Sequence, residues 1–288
     1  MNKPQALFLP ASPGRRIFRK ILEIALGRTF LGRWLGGLPL VQRIYAGWVL
    51  ARRDHTGLYT GIYPTFAAAS VDIPPSRKSG WNHDDTSTLW INHIDPVRLS
   101  TYPVFFWLSR LAQAKFVIVD VGGSIGLTYY GYRRYAGLPP GASWTVVEVP
   151  KICEQGRRIA KREGASDLTF IELLADAQPC DILLSAGALQ FVEHSIPGLL
   201  ESLRAKPRYL LLNKLPVTPE ADCWTLQNYG PAVTPQRLFN ERQFLEYFAG
   251  HGYQLRDRWG VEDLDCLIPF HPRRFIRHFS GFLFELAN

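Results

Sequence analysis

The sequence predicts a doubly wound α/β protein: one large domain with a mostly parallel sheet, preceded by a helical extension. Three observations predict it. Residues 116–126 read Phe-Val-Ile-Val-Asp-Val-Gly-Gly-Ser-Ile-Gly, an apolar strand running directly into a glycine turn. Six further strand-like runs follow, separated by helical stretches. The charge is also divided. Ten of the 33 basic residues but only two of the 25 acidic ones fall in residues 1–60, and the remainder balances at 23 of each. The chain is 47% hydrophobic and 20% charged, which suits a folded protein of 288 residues with a sizeable core.

In order, Ile17, Ile21, Ile24 and Ala25 form an apolar helical stripe opposite Arg16, Arg19, Lys20 and Glu23. After a glycine-rich break, Val41, Ile44, Tyr45, Trp48 and Val49 repeat the spacing. Residues 54–96 carry Pro64, Pro74, Pro75, Gly80 and Pro96 and read as irregular. Residues 97–114 read as a helix leading to the first strand, Phe116–Asp120, whose apolar run suits burial on both faces. Trp144–Val149 is the second strand, and Pro150 suits the first turn of a helix over 151–163. Strands follow at 168–171, 181–185 and 208–213, with a helix near 196–205. Four prolines mark residues 215–236 as a long loop. A helix over 238–250 and strands near 253–259 and 279–286 complete the domain. The expected division is an extension over 1–96 and a Rossmann-like domain over 97–288.

Composition narrows the function classes. A basic, apolar leader on a neutral domain points to an anionic surface and not to a nucleic-acid groove. Arg beside Trp and Phe on the short helices within residues 15–53 suits the interface of an anionic bilayer, and equally packing on the main domain. No apolar run is long enough to span a membrane, and Glu23 interrupts the nearest approach to a signal peptide. Cys153, Cys180, Cys223 and Cys266 show no metal or redox spacing, as expected of reduced thiols in a cytoplasmic protein. His83, Asp84, Asp85, His93 and Asp95 match no metal motif, and no metal is expected.

The chemistry lies in Asp120-x-Gly122-Gly123-Ser124-x-Gly126 and in Glu148. An acid at the end of the second strand accepts hydrogen bonds from both hydroxyls of a ribose. The dinucleotide fingerprint requires G-x-G-x-x-G, which this turn lacks, so a nicotinamide-dependent oxidoreductase is disfavoured. The pattern instead resembles the class I S-adenosylmethionine-dependent methyltransferases. The resemblance implies a seven-stranded Rossmann-like sheet, with the turn beside the cofactor's amino-acid portion and Glu148 at its ribose. It also implies Glu172 near the adenine, and Ser185 and Leu189 in the segment after the fourth strand. Val119-Asp-Val-Gly-Gly-Ser, Trp144-Thr-Val-Val-Glu-Val-Pro, Leu184-Ser-Ala-Gly-Ala-Leu-Gln and Thr225-Leu-Gln are similar to one uncharacterised bacterial methyltransferase family. That family is often encoded with surface-polysaccharide and O-antigen genes. It usually carries an Arg where this chain has Asn213-Lys214.

The resemblance implies a saccharide or glycolipid acceptor at the cytoplasmic face of the inner membrane. A hydroxyl acceptor needs a base, for which His194, Glu193 and His83 are the candidates. Gln190 and Gln227 are candidates to orient the acceptor, and Trp224 and Tyr229 to stack on a sugar ring. The alternative is a non-catalytic module of the same fold serving a polysaccharide assembly complex.

Overall fold

The computed structural model describes residues 38–288 except 54–56, 89, 90, 92–96, 113, 194, 195 and 288. The expected helix over 15–26, and with it most of the basic leader, lies outside the described residues. So do His93, Asp95 and His194.

The chain begins with helix α1 (Pro39–Ala51), strand β1 (Leu58–Tyr63), helix α2 (Phe66–Val71), strand β2 (Lys78–Ser79) and the short helix α3 (Asp84–Thr88). Helix α4 (Tyr102–Leu111) leads to β3 (Val117–Val121) and α5 (Leu127–Tyr135). Then come β4 (Ser143–Val147), α6 (Pro150–Arg162), β5 (Leu168–Ile171), β6 (Ile182–Ala186), α7 (Ile196–Glu201) and β7 (Tyr209–Leu215). The chain closes with β8 (Val217–Thr218), β9 (Cys223–Asn228), β10 (Ala232–Asn240), α8 (Glu241–Gly250), β11 (Tyr253–Val261) and β12 (Phe279–Leu286).

Seven strands form the expected sheet, in the order β11-β12-β7-β6-β3-β4-β5. Strands β3 to β7 are parallel, and β12 runs antiparallel to both β7 and β11. The apolar run of β3 is explained by burial on both faces: Ile118 packs into one core and Val119 into the other. Strand β6 repeats this with Ile182 and Leu184 against Leu183, and β7 with Leu211 against Leu210 and Leu212. Each such side chain, fully buried, contributes about 1.5–3 kcal/mol relative to exposure.

The helices are fixed locally. Pro150 starts α6 at a position where a missing N–H costs nothing, and Ile152, Cys153, Gly156, Ile159 and Ala160 form its buried stripe. Asn240 caps α8, its side chain accepting a hydrogen bond from the Gln243 amide.

Two stretches differ from expectation. Residues 215–236 are not a loop but β8, β9 and part of β10, and β1 and β2 arise from the stretch read as irregular. Together they make a second sheet ordered β1-β9-β10-β2, with β8 also beside β10. Every residue of β9 is buried, and although Trp224-Thr225-Leu226-Gln227 alternates apolar with polar, the run is short and lies among four prolines. Pro235 is tolerated because β2 pairs only with Ala232 and Val233, and β8 only with Phe239 and Asn240. The proline falls between them, where that edge of β10 is unpaired.

Candidate active site

The glycine turn after β3 is shaped by contacts that exclude side chains. Gly122 has φ of +71°, and a Cβ there would overlap the Ala188 methyl of the segment after β6. A Cβ on Gly123 would strike the Asp120 carboxylate beneath the turn. Asp120 is fully buried, with Oδ2 accepting from Trp144 Nε1 at 3.3 Å and Oδ1 lacking a hydrogen-bond partner among the described residues. Burial pushes its carboxyl up to about 7. Asp120, expected to touch a cofactor, is not on the cavity wall but supports the turn from below. Ser185 is likewise buried, donating from Oγ to the Val121 carbonyl, and ties β6 to β3.

Glu148 follows β4 and joins the turn to the next helix. Its Oε1 accepts from the Ser124 amide at 3.1 Å and its Oε2 from the Val149 amide at 2.9 Å. Burial pushes this carboxyl up to about 7 against those two hydrogen bonds. Each oxygen retains a lone pair for a further donor.

Above these residues lies a cavity of about 680 Å³. One part of its wall comprises Gly122, Gly123, Ser124, Glu148 and Glu172, with Leu189 after β6. Glu172 is paired weakly with Arg157 at 3.8 Å on the exposed rim. Gly126 is not on the wall; its φ of +93° places it as the N-cap of α5.

The opposite part brings the second sheet onto the same space, with Gln227 and Tyr229 from the end of β9 and Gln236 from β10. Tyr229 OH donates to Gln227 Oε1 at 2.5 Å. Trp81, Phe191 and Tyr229 cluster edge to face, with ring centroids 4.4 to 5.7 Å apart. Gln190 Nε2 donates to the Gly187 carbonyl at 3.2 Å, while its Oε1 lacks a partner among the described residues. Gln236 Nε2, Ser124 Oγ and Trp81 Nε1 lack one as well. Unsatisfied buried polar atoms are uncommon, and here four of them belong to residues lining one cavity.

Other expectations are placed elsewhere. Trp224 packs inside the second sheet, edge to face with Phe66 at 5.3 Å, because its position in β9 faces away from the cavity. Glu193 is exposed and off the wall. His83 binds the Ser79 carbonyl at 2.6 Å, Asp84 pairs with Lys151 at 3.0 Å and Asp85 with Lys78 at 2.5 Å. Among the described residues no three His, Cys, Asp or Glu side chains converge as metal ligands.

Sequence reasoning missed Trp81, Arg98, Phe191, Lys214 and Gln236, all lining the cavity. Trp81 and Gln236 sat in stretches read as irregular or loop. Lys214 carried a signal, as it stands where the sequences that this chain resembles usually carry an Arg.

No family model matches the chain, and no curated protein matches it. Solved structures do. The 1,6-didemethyltoxoflavin-N1-methyltransferase of Burkholderia thailandensis, solved with S-adenosylhomocysteine, is 16% identical, with a TM-score of 0.46 over 71% of this chain and 86% of that one. A SAM-dependent methyltransferase from Aquifex aeolicus is 13% identical, with a TM-score of 0.47 over 71% of this chain and 99% of that one. One from Geobacter sulfurreducens, also with S-adenosylhomocysteine, is 13% identical, with a TM-score of 0.43 over 70% of this chain and 96% of that one.

Proposed function

We propose that this chain is an S-adenosylmethionine-dependent methyltransferase that O-methylates a saccharide or glycolipid precursor of a surface polysaccharide. One observation carries the reading: the glycine turn and Glu148 share a single cavity with a wall of buried amides and aromatic rings. The donor side fits the cofactor. Gly122 and Gly123 leave bare backbone where a side chain would collide, and Glu148 offers carboxylate oxygens to ribose hydroxyls. When bound, the cofactor supplies an electrophilic methyl group on a sulfonium. The protein's part is then to align the acceptor, exclude water and take up a proton.

The opposite wall supports a hydroxylated ring as acceptor. Gln190, Gln227 and Gln236 line it with amides, and Trp81 and Tyr229 offer faces and edges for stacking. Trp81 thus takes the stacking part first assigned to Trp224. We also propose that the N-terminal region touches an anionic membrane surface. On α1, Leu40 and Ile44 are exposed one helical turn apart, as an interfacial helix requires. Among the described residues no helix is long and apolar enough to cross a membrane.

Calorimetric titration with S-adenosylmethionine and S-adenosylhomocysteine, with NAD as control, tests the reading. Micromolar binding of the first two and none of NAD is expected. Glu148→Gln should weaken both by about 10- to 100-fold, the size of a charge-assisted hydrogen bond. Wild-type affinity should also fall as pH drops below about 7, where the Glu148 carboxylate takes a proton. Folded protein that binds neither ligand would favour the non-catalytic module.

A further inference from the structure

The end of β7 is irregular in a way that delivers one side chain to the cavity. Ser280 pairs with Leu215 and Phe282 with Leu212, so Asn213 and Lys214 together oppose the single residue Gly281. This is a β-bulge, a device that re-aims a side chain out of a ladder and is frequent beside active sites. Lys214 adopts φ of +60°, uncommon for a residue other than glycine. Asn213 holds the bulge in place: its Nδ2 donates to the Ser100 carbonyl at 2.7 Å, and its Oδ1 accepts from Trp259 Nε1 at 3.0 Å.

The Lys214 side chain lies over Gly187, where a Cβ would approach its Cδ to 3.3 Å. The next residue, Ala188, touches Gly122 of the glycine turn. Lys214 therefore stands at the seam between the donor and acceptor walls, and it lines the cavity. Burial and Arg98 oppose its charge, while Asp263 and Asp120 favour it. The balance brings its amine down to about 8, close enough to neutrality to exchange a proton in use.

Resting on the methyltransferase reading above, we propose that Lys214 is the proton acceptor of this site, an amine kept neutral while a sulfonium occupies the cavity. The acceptor O–H bond breaks with its proton going to Nζ, and the oxygen forms a bond to the methyl carbon. The carbon–sulfur bond breaks with its electron pair returning to sulfur. A sulfonium beside an amine becomes a thioether beside an ammonium, so the step adds no positive charge to a cavity that Arg98 already lines. The sulfonium and the ammonium never stand there together.

Proton release on ligand binding tests this without an acceptor. At pH 7.5 about three quarters of an amine titrating near 8 is protonated. Calorimetry in two buffers of different protonation enthalpy should show the wild type releasing about half a proton more than Lys214→Arg when S-adenosylmethionine binds. With S-adenosylhomocysteine the two should release the same number. A second variant, Lys214→Met, should bind S-adenosylmethionine about tenfold tighter relative to S-adenosylhomocysteine at pH 6.5 than the wild type does. Thermal melts check that both variants fold. Equal proton release by the wild type and Lys214→Arg, with both ligands bound, overturns the inference and leaves the methyltransferase reading standing. If neither ligand binds the wild type, that reading fails and the inference falls with it.

Discussion

Two carboxyls beside the glycine turn are held far from their ordinary ionisation, and each has a different use. Glu148 faces the cavity and is steadied by two backbone amides. Asp120 faces none, and its burial is a cost of supporting the turn. Below pH 3.8 Asp120 is neutral in both folded and unfolded chains and costs nothing. Between pH 3.8 and about 7 the unfolded chain ionises while the folded one resists, so stability is lost as pH rises. The full loss is about 4 kcal/mol at about 1.4 kcal/mol per pH unit. Asp120→Asn removes the titration, so its melting temperature should gain on the wild type between pH 4 and 7.5 and match it most closely at pH 4. A difference independent of pH would mean that Asp120 ionises normally.

At the scale of elements, the seven-stranded sheet was legible because each strand is a short apolar run bounded by helical spacing or glycine. The run Leu168–Ile171 and the stretch 279–286 are strands with those bounds. The glycine turn and Glu148 were legible for the same reason, since strand ends place them. The second sheet was not. Pro235 within β10 and Pro231 just before it imitate a loop, the alternation of Trp224 to Gln227 in β9 is too short to outweigh them, and its partner β1 lies some 165 residues away in sequence. The acceptor wall built on that sheet was hidden with it, which is why Trp224 drew attention that belongs to Trp81. Substitution separates the two. Trp224→Ala should cost about 3–5 kcal/mol of stability, as removal of a buried indole does. Trp81→Ala should cost less stability and, with an acceptor in hand, raise its KM while leaving S-adenosylmethionine affinity within about twofold.

For the whole molecule, α1 sits on the second sheet through its last turn. Val49 and Leu50 are buried, and the Asn228 side-chain amide donates to the Val49 and Arg52 carbonyls. Its other face is open, with Leu40 69% and Ile44 65% exposed. The double variant Leu40→Glu with Ile44→Glu should therefore melt like the wild type yet fail to sediment with anionic phospholipid vesicles that carry the wild type down. Equal sedimentation would assign α1 to packing alone. The second sheet also has a consequence in time. It is sewn from both sides of the main domain, with Leu58 to Tyr63 paired against Trp224 to Asn228. During synthesis the glycine turn and Glu148 leave the ribosome roughly 80 to 110 residues before Gln227 and Gln236 do. A nascent chain thus owns the floor of its binding site well before it owns the opposite wall. The segment of β1 spends that interval without the strand it pairs with.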